Sequence, residues 1–255
     1  MLVFHSACRR SPLCSLALIT FVRCAAGGTP AIATSPSVTA ASEPTTVCAT
    51  HIVVRYWGTI GAVIATRTSP TARVYATEAL AKALEPNADL EAIGREFKKQ
   101  YGDIDVMRTG PFSRGQMPKG FEDVVFSLRP GQVADQVAAT PYGFHIIRRN
   151  PTVRCRHILL AYEGASRSIA TRTRDEARHL AEGLREQLLK PGANFVAFAR
   201  RHSDAPDAVG GGDVGVFDRG MMIAAFEKAA FALQVGQISP LVETRFGFHI
   251  IQRID

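Results

Sequence analysis

Short apolar runs, each set off by a glycine turn or a capped helix, occur twice along this chain in the same order. The last of them, Gly247-Phe248-His249-Ile250-Ile251, already stands at Gly143-Phe144-His145-Ile146-Ile147. A glycine bend, an aromatic, an imidazole and two β-branched residues read as a turn feeding a buried strand that carries one histidine. Upstream, Gly110-Pro111-Phe112-Ser113-Arg114-Gly115-Gln116-Met117 answers Gly215-Val216-Phe217-Asp218-Arg219-Gly220-Met221-Met222 at an offset of 105 residues. Phe121-Glu122, Phe126, Leu128 and Gly131-Gln132 return at that same offset, and Thr50-His51-Ile52-Val53-Val54 answers Arg156-His157-Ile158-Leu159-Leu160. The chain is two copies of one unit of roughly a hundred residues, which settles its architecture before any element is placed.

The second copy is the cleaner. Val153 to Ala161 reads as a strand. Thr173 with Glu176 forms a capping box, and Ala177, Leu180, Ala181, Leu184 and Leu188 trace one helical face that Pro191-Gly192 ends. Asn194 caps a second helix with Phe195, Phe198 and Ala199 on its apolar side. Ser203 to Pro206 is a turn, and Gly210-Gly211-Gly212 supplies backbone conformations that only glycine adopts cheaply. Val214 to Phe217 is a strand, Met222 to Leu233 a third helix, and strands begin at Leu241 and Phe248. The first copy follows this plan from Ser69-Pro70, with Asp89 capping a helix whose apolar face is Leu90, Ile93 and Phe97. Its glycine-rich turn is missing, and 101–106 has no secure counterpart.

Composition changes this picture little. A net charge of +7 over 255 residues comes with no basic run interleaved with aromatics, so the arginines are read as solvated faces and nucleic acid is not an expected partner. Residues 1–33 resemble an export signal: Arg9-Arg10, then an apolar Leu13–Val22 too short to span a bilayer, then Ala31-Ile32-Ala33 as a small-x-small cleavage site. Lipidation at Cys24 is an alternative that would attach the chain to a membrane, although Arg23 fits such processing poorly. Residues 34–46, rich in Thr, Ser, Ala and Pro, read as a disordered linker. Cys48 and Cys155 occupy equivalent strand positions as small buried hydrophobes. No spacing indicates a metal site, and no cofactor is expected.

In order, His157-Ile158-Leu159-Leu160, Ser203-Asp204, Gly211-Gly212-Asp213-Val214-Gly215, Arg219-Gly220-x-Met222, Phe226 and Phe246-Gly247-Phe248-His249-Ile250-Ile251 resemble a parvulin-type (PpiC, rotamase) peptidyl-prolyl cis/trans isomerase. The likeness covers 152–255 and, more loosely, 47–150. It implies an α+β fold of two tandem domains, 47–150 (degenerate) and 151–255, each a four-stranded antiparallel sheet surrounded by helices. It also implies rotation about X–Pro bonds in unfolded or extended polypeptides, without cofactor or metal. By resemblance His157, Asp204 and His249 are the catalytic set, and Val214, Met222, Phe226, Thr244 and Phe246 hold substrate. Met222 and Phe226, four apart, are expected on one helical face. His51, Met117, Phe121, Thr140, Tyr142 and His145 mark a second site.

The chain departs from the family at Ala205, where a Cys or Asp is usual. Asp204 or Asp207 serves in its place, or catalysis is slower. Arg167 and Arg172 do not make a forked phosphate clamp, so no phosphate dependence is expected. Two functional readings follow: an exported isomerase, periplasmic or at the outer envelope, working mainly through its second domain; or a chaperone that holds proline-containing segments with little turnover. A repeat serving assembly alone is disfavoured because His, Met, Phe and His persist at the pocket positions of both copies.

Overall fold

The computed structural model describes residues 45–62 and 65–255. The expected leader and nearly all of the linker, Cys24 included, lie outside the described residues. Each repeat is organised on a central strand, fully buried in the first copy and partly buried in the second. In β1 (Cys48–Val54) all seven residues are buried, and β5 (Thr152–Leu160) takes the same place in the second copy. Around β1 the chain adds α1 (Ser69–Ala83), α2 (Leu90–Tyr101), β2 (Ile104–Arg108), α3 (Lys119–Ser127), β3 (Ala138–Thr140) and β4 (Gly143–Asn150). After β5 come α4 (Arg174–Leu188), α5 (Phe195–His202), a 3₁₀ turn (Pro206–Gly210), β6 (Asp213–Asp218), α6 (Ala224–Ala232), β7 (Val242–Thr244) and β8 (Gly247–Arg253). Both sheets are antiparallel and four-stranded, ordered β2-β1-β4-β3 and β6-β5-β8-β7. The α+β class and the tandem four-stranded sheets that the resemblance implied are those observed.

Each sheet carries a different layer on each face, because alternate residues of a strand point opposite ways. Ile158, Leu160, Phe248 and Ile250 pack under α4 and α5, with Ala181, Leu184 and Phe195. Val153, Cys155, Phe217 and Ile251 pack under α6, with Phe226 and Ala230. A fully buried side chain such as Phe217 contributes on the order of 1.5–3 kcal/mol. The helix starts behave as their caps dictate: Thr173 and Glu176 close a capping box, Asn194 bonds the Ala197 N–H, and Asp89 bonds those of Glu91 and Ala92.

Three expectations change. Leu180 does not lie on the buried face of α4; it is 41% exposed, and the face is Ala177, Ala181, Leu184 and Leu188. The helix expected from Met222 begins at Ala224, so Met222 and Phe226 do not share a helical face. Met222 sits in the preceding turn, which Glu227 holds by accepting from the Gly220 N–H. The first copy uses the same device, Glu122 accepting from the Gly115 and Met117 N–H groups ahead of α3. Segment 101–106 proves to be the end of α2 and the start of β2. β1 pairs with β2 in unbroken register from Thr50↔Arg108 to Val54↔Ile104, and no glycine turn is needed. In the second copy the register shifts at Cys155/Arg156, where Gly212 (φ +77°) approaches so closely that a Cβ would lie 2.0 Å from the His157 carbonyl oxygen.

The two sheets meet around one buried carboxylate. Asp218, 1% exposed, accepts from Arg108 Nη2 at 3.0 Å and from Asn150 Nδ2 at 2.5 Å. Thr50 Oγ1 donates to Asn150 Oδ1 at 3.0 Å. Cys48 and Cys155 are buried and unbridged. Burial, helped by Asp218, pushes the Cys48 thiol up to about 12, and burial pushes Cys155 up to about 11.

Candidate active site

Strands β5 and β8 pair so that Leu159 faces His249 and His157 faces Ile251, leaving the two imidazoles diagonal neighbours on one sheet face. Their rings are stacked at 15°, with centroids 5.2 Å apart, and Nδ1 meets Nδ1 at 3.0 Å. His249 Nε2 lies 2.8 Å from Thr244 Oγ1, which accepts from the Phe246 N–H at 3.1 Å. His157 Nε2 lies 3.1 Å from one Asp207 oxygen and 3.2 Å from the other.

This chain of contacts assigns its own protons. A carboxylate only accepts, so His157 Nε2 carries a hydrogen; with one hydrogen on each ring, the Nδ1 of His157 accepts. His249 Nδ1 must then donate, which leaves its Nε2 to accept from the Thr244 hydroxyl. Burial, then the neighbouring His157, push His249 down to about 3 against an upward pull from Asp207. With one hydrogen on each ring, the order of protons runs from Thr244 to Asp207.

Phe226 stands edge-on to both imidazoles at 5.5 Å; Val214 and Met222, each partly buried, pack into the same cluster. The histidines also line a cavity of about 700 Å³, together with Asp204, Asp207, Phe246 and the loop 166–172. The structure thus places His157, Asp204, Phe246 and His249 on the cavity. It leaves Val214, Met222 and Phe226 outside that lining, in the cluster whose Phe226 touches both imidazoles, and Thr244 at the end of their hydrogen-bond chain. Asp204 does not reach the histidines: it accepts from Arg172 Nη1 at 2.8 Å and from the Ala161 N–H at 2.9 Å. With Ser203, whose hydroxyl accepts from the Leu159 N–H, it fastens the cavity wall to β5. Ala205 is buried. The carboxylate at the imidazoles is Asp207, which the sequence offered only as an alternative to Asp204; the signal that finds it is its place in the turn entering the glycine run.

The first copy repeats the histidines without the acid. His51 Nδ1 lies 3.0 Å from His145 Nδ1, and His145 Nε2 lies 2.7 Å from Thr140 Oγ1. Phe121 stands edge-on to both rings. All six residues expected here (His51, Met117, Phe121, Thr140, Tyr142 and His145) line one cavity of about 610 Å³. The second cavity includes Asp207 but not Met222 or Phe226, whereas this one includes Arg55 together with Met117 and Phe121. Burial, then Arg55, push His51 down to about 4; burial, then His51 and Arg55, push His145 down to about 3.

Paired imidazoles under a cavity at the end of a four-stranded sheet, repeated twice, define a tandem parvulin-like protein. Residues 51–150 and 157–255 each match the family described as rotamase, PPIC-type PPIASE domain. The chain is 43% identical over 111 residues to the peptidyl-prolyl cis-trans isomerase Pin1 of Digitalis lanata, covering 40% of this chain and 94% of that one. It is 30% identical over 188 residues to the chaperone SurA of Ralstonia nicotianae, covering 69% of this chain but 36% of that one. Among solved structures, the peptidyl-prolyl isomerase ESS1 from Candida albicans matches at 34% identity and a TM-score of 0.38, over 41% of this chain and 63% of that one. The chain belongs to the PPIC-type peptidyl-prolyl cis/trans isomerase family, in two tandem copies, and spans about a third of the length of the SurA chaperone it matches.

Proposed function

We propose that this protein accelerates X–Pro isomerisation in exported polypeptides, with turnover in the second copy and holding in the first. The observation that carries this reading is the exchange of charge beside otherwise matching imidazole pairs: Asp207 at 3.1 Å from His157, Arg55 in the first cavity.

Rotation about a peptide bond faces a barrier of about 18–20 kcal/mol because resonance makes the C–N bond partly double. For X–Pro both isomers are populated, and uncatalysed exchange takes tens to hundreds of seconds. Resonance also places negative charge on the carbonyl oxygen of the planar amide, and twisting removes it. A cavity that is partly apolar and holds a carboxylate penalises the planar amide more than the twisted one, which is selective stabilisation of the transition state. The second cavity has both features. His157 and His249 flank the twisting bond, and Val214, Met222 and Phe226 support them with apolar bulk. Asp204 keeps the wall in place.

In the first copy a guanidinium favours the planar amide with its charged oxygen, so the same fold binds without lowering the barrier. Export to the periplasm or outer envelope rests on the leader-like residues 1–33, with membrane attachment only if Cys24 is lipidated. The domains are taken as 47–150 and 151–255, and the partners as unfolded or extended chains containing X–Pro.

Refolding of a protein limited by a proline step tests the reading. The full chain is expected to speed the slow phase catalytically, and a Met222→Ala chain to do so less. Unchanged slow-phase rates with suppressed aggregation would leave the holding chaperone as the function.

A further inference from the structure

We propose that the first-copy cavity selects polypeptide segments in which an acidic side chain lies next to an apolar one. This rests on the reading of the first copy as a holding module and names what it holds. The two cavities differ in the charges that line them. The second is lined by Arg167 and Arg172 with Asp204 and Asp207, and its Arg172 is neutralised by Asp204. Among the described residues, the first cavity is lined by Arg55 and Arg108 with no carboxylate at all.

The acids that balance these two guanidiniums sit behind the lining. Asp105, beside Arg55, is shared with Lys98 at 2.7 Å, so one carboxylate serves two cations. Arg108 pairs with Asp218, which lies at 2% side-chain exposure and is shared with Asn150, and more distantly with Glu91 at 3.9 Å. Arg55 also keeps its Nε buried and without a hydrogen-bond partner. Its positive field reaches the cavity floor, where it disfavours protonation of both His51 and His145. The cavity also presents open apolar side chains: Ile60, Met107 and Tyr142 are 54%, 46% and 42% exposed, and Phe121 stands edge-on to His51. A ligand that matches this surface brings one apolar group for the floor and one anion for the guanidiniums.

The test uses the full chain and two blocked hexapeptides that differ only in Glu or Gln beside a phenylalanine, titrated while the imidazole resonances are followed. The Glu peptide is expected to perturb His51 and His145 and to bind about fivefold tighter than the Gln peptide at low salt, a margin ordinary for exposed charge pairs. Raising the salt shrinks that margin by screening, and Arg108→Gln shrinks it without salt. The salt series needs no variant, so it stands even where Arg108→Gln unsettles Asp218. Equal affinity for the two peptides at His51 and His145 overturns the proposal. Perturbation confined to His157 and His249 also overturns it, while leaving the isomerase reading intact. Binding of neither peptide at either site overturns the holding role together with this selectivity.

Discussion

His157 Nε2 lies 3.1 Å from the Asp207 carboxylate, two residues beyond Ala205, the position at which the resemblance implies a Cys or Asp. The acid that meets the imidazole stands further along the turn. If it sets the order of protons, removing it has a spectroscopic signature as well as a kinetic one. In Asp207→Ala the tautomers of His157 and His249 are expected to become mixed by nitrogen NMR, and kcat/KM to fall about ten- to hundredfold, the scale of one hydrogen bond to a charged group. Asp207→Asn keeps an acceptor, so it retains the tautomers while losing part of the rate. Unchanged tautomers in the alanine variant would mean that the carboxylate is a bystander.

The depressed imidazoles make stability depend on pH with a definite sign. His51, His145 and His249 titrate near 4, 3 and 3 in the folded chain and near 6.5 when unfolded. Between these values the unfolded chain binds protons that the native one excludes. Stability therefore falls as pH drops from about 6.5 towards 4, by up to ~1.4 kcal/mol per pH unit for each group. Proton uptake on denaturation at pH 5 is expected to fall by about one in His145→Gln; no difference would show that the ring titrates normally when folded.

Much of this was legible beforehand, for physical reasons that differ by element. The repeat, the strands bearing His51, His145, His157 and His249, and the capped starts at Asp89, Thr173 and Asn194 depend on local chemistry that survives in a string of letters. Met222 was misplaced onto a helix because an apolar residue at i and i+4 looks helical even when the turn before α6 is held by a side chain, Glu227. Leu180 looked buried because its spacing fits; its neighbour Ala181 takes the core position. Asp204 and Asp207 are equally acidic and three apart, and only the geometry of the 3₁₀ turn sends one to Arg172 and the other to His157. Arg55 and Arg108 carry no motif, and their effect emerges only when β1 and β2 line a cavity.

Asp218 is the link between the copies. Asp218→Ala leaves Arg108 and the Asn150 amide without their acceptor in a buried place, and is expected to cost about 2–4 kcal/mol. Calorimetry is expected to show one transition separating into two. A single unshifted transition would mean that the copies are not coupled through this residue.

Gly212→Ala tests how closely the glycine turn supports His157. The residue sits at φ +77°, and an added Cβ would lie 2.0 Å from the His157 carbonyl oxygen. A loss of at least about 2 kcal/mol in unfolding free energy is expected, together with a displaced His157 resonance. Unfolding at wild-type denaturant concentrations would show that the turn has room.

The division of labour between the copies is tested most directly by isomerisation kinetics on a short X–Pro peptide, comparing the full chain with Met117→Ala and Met222→Ala. These are equivalent, partly buried residues in the turns before α3 and α6, each replaceable without leaving a buried charge. The account predicts acceleration by the unaltered chain, retained in Met117→Ala and reduced in Met222→Ala. Loss in Met117→Ala with full retention in Met222→Ala would contradict it and move the catalytic site to the first copy.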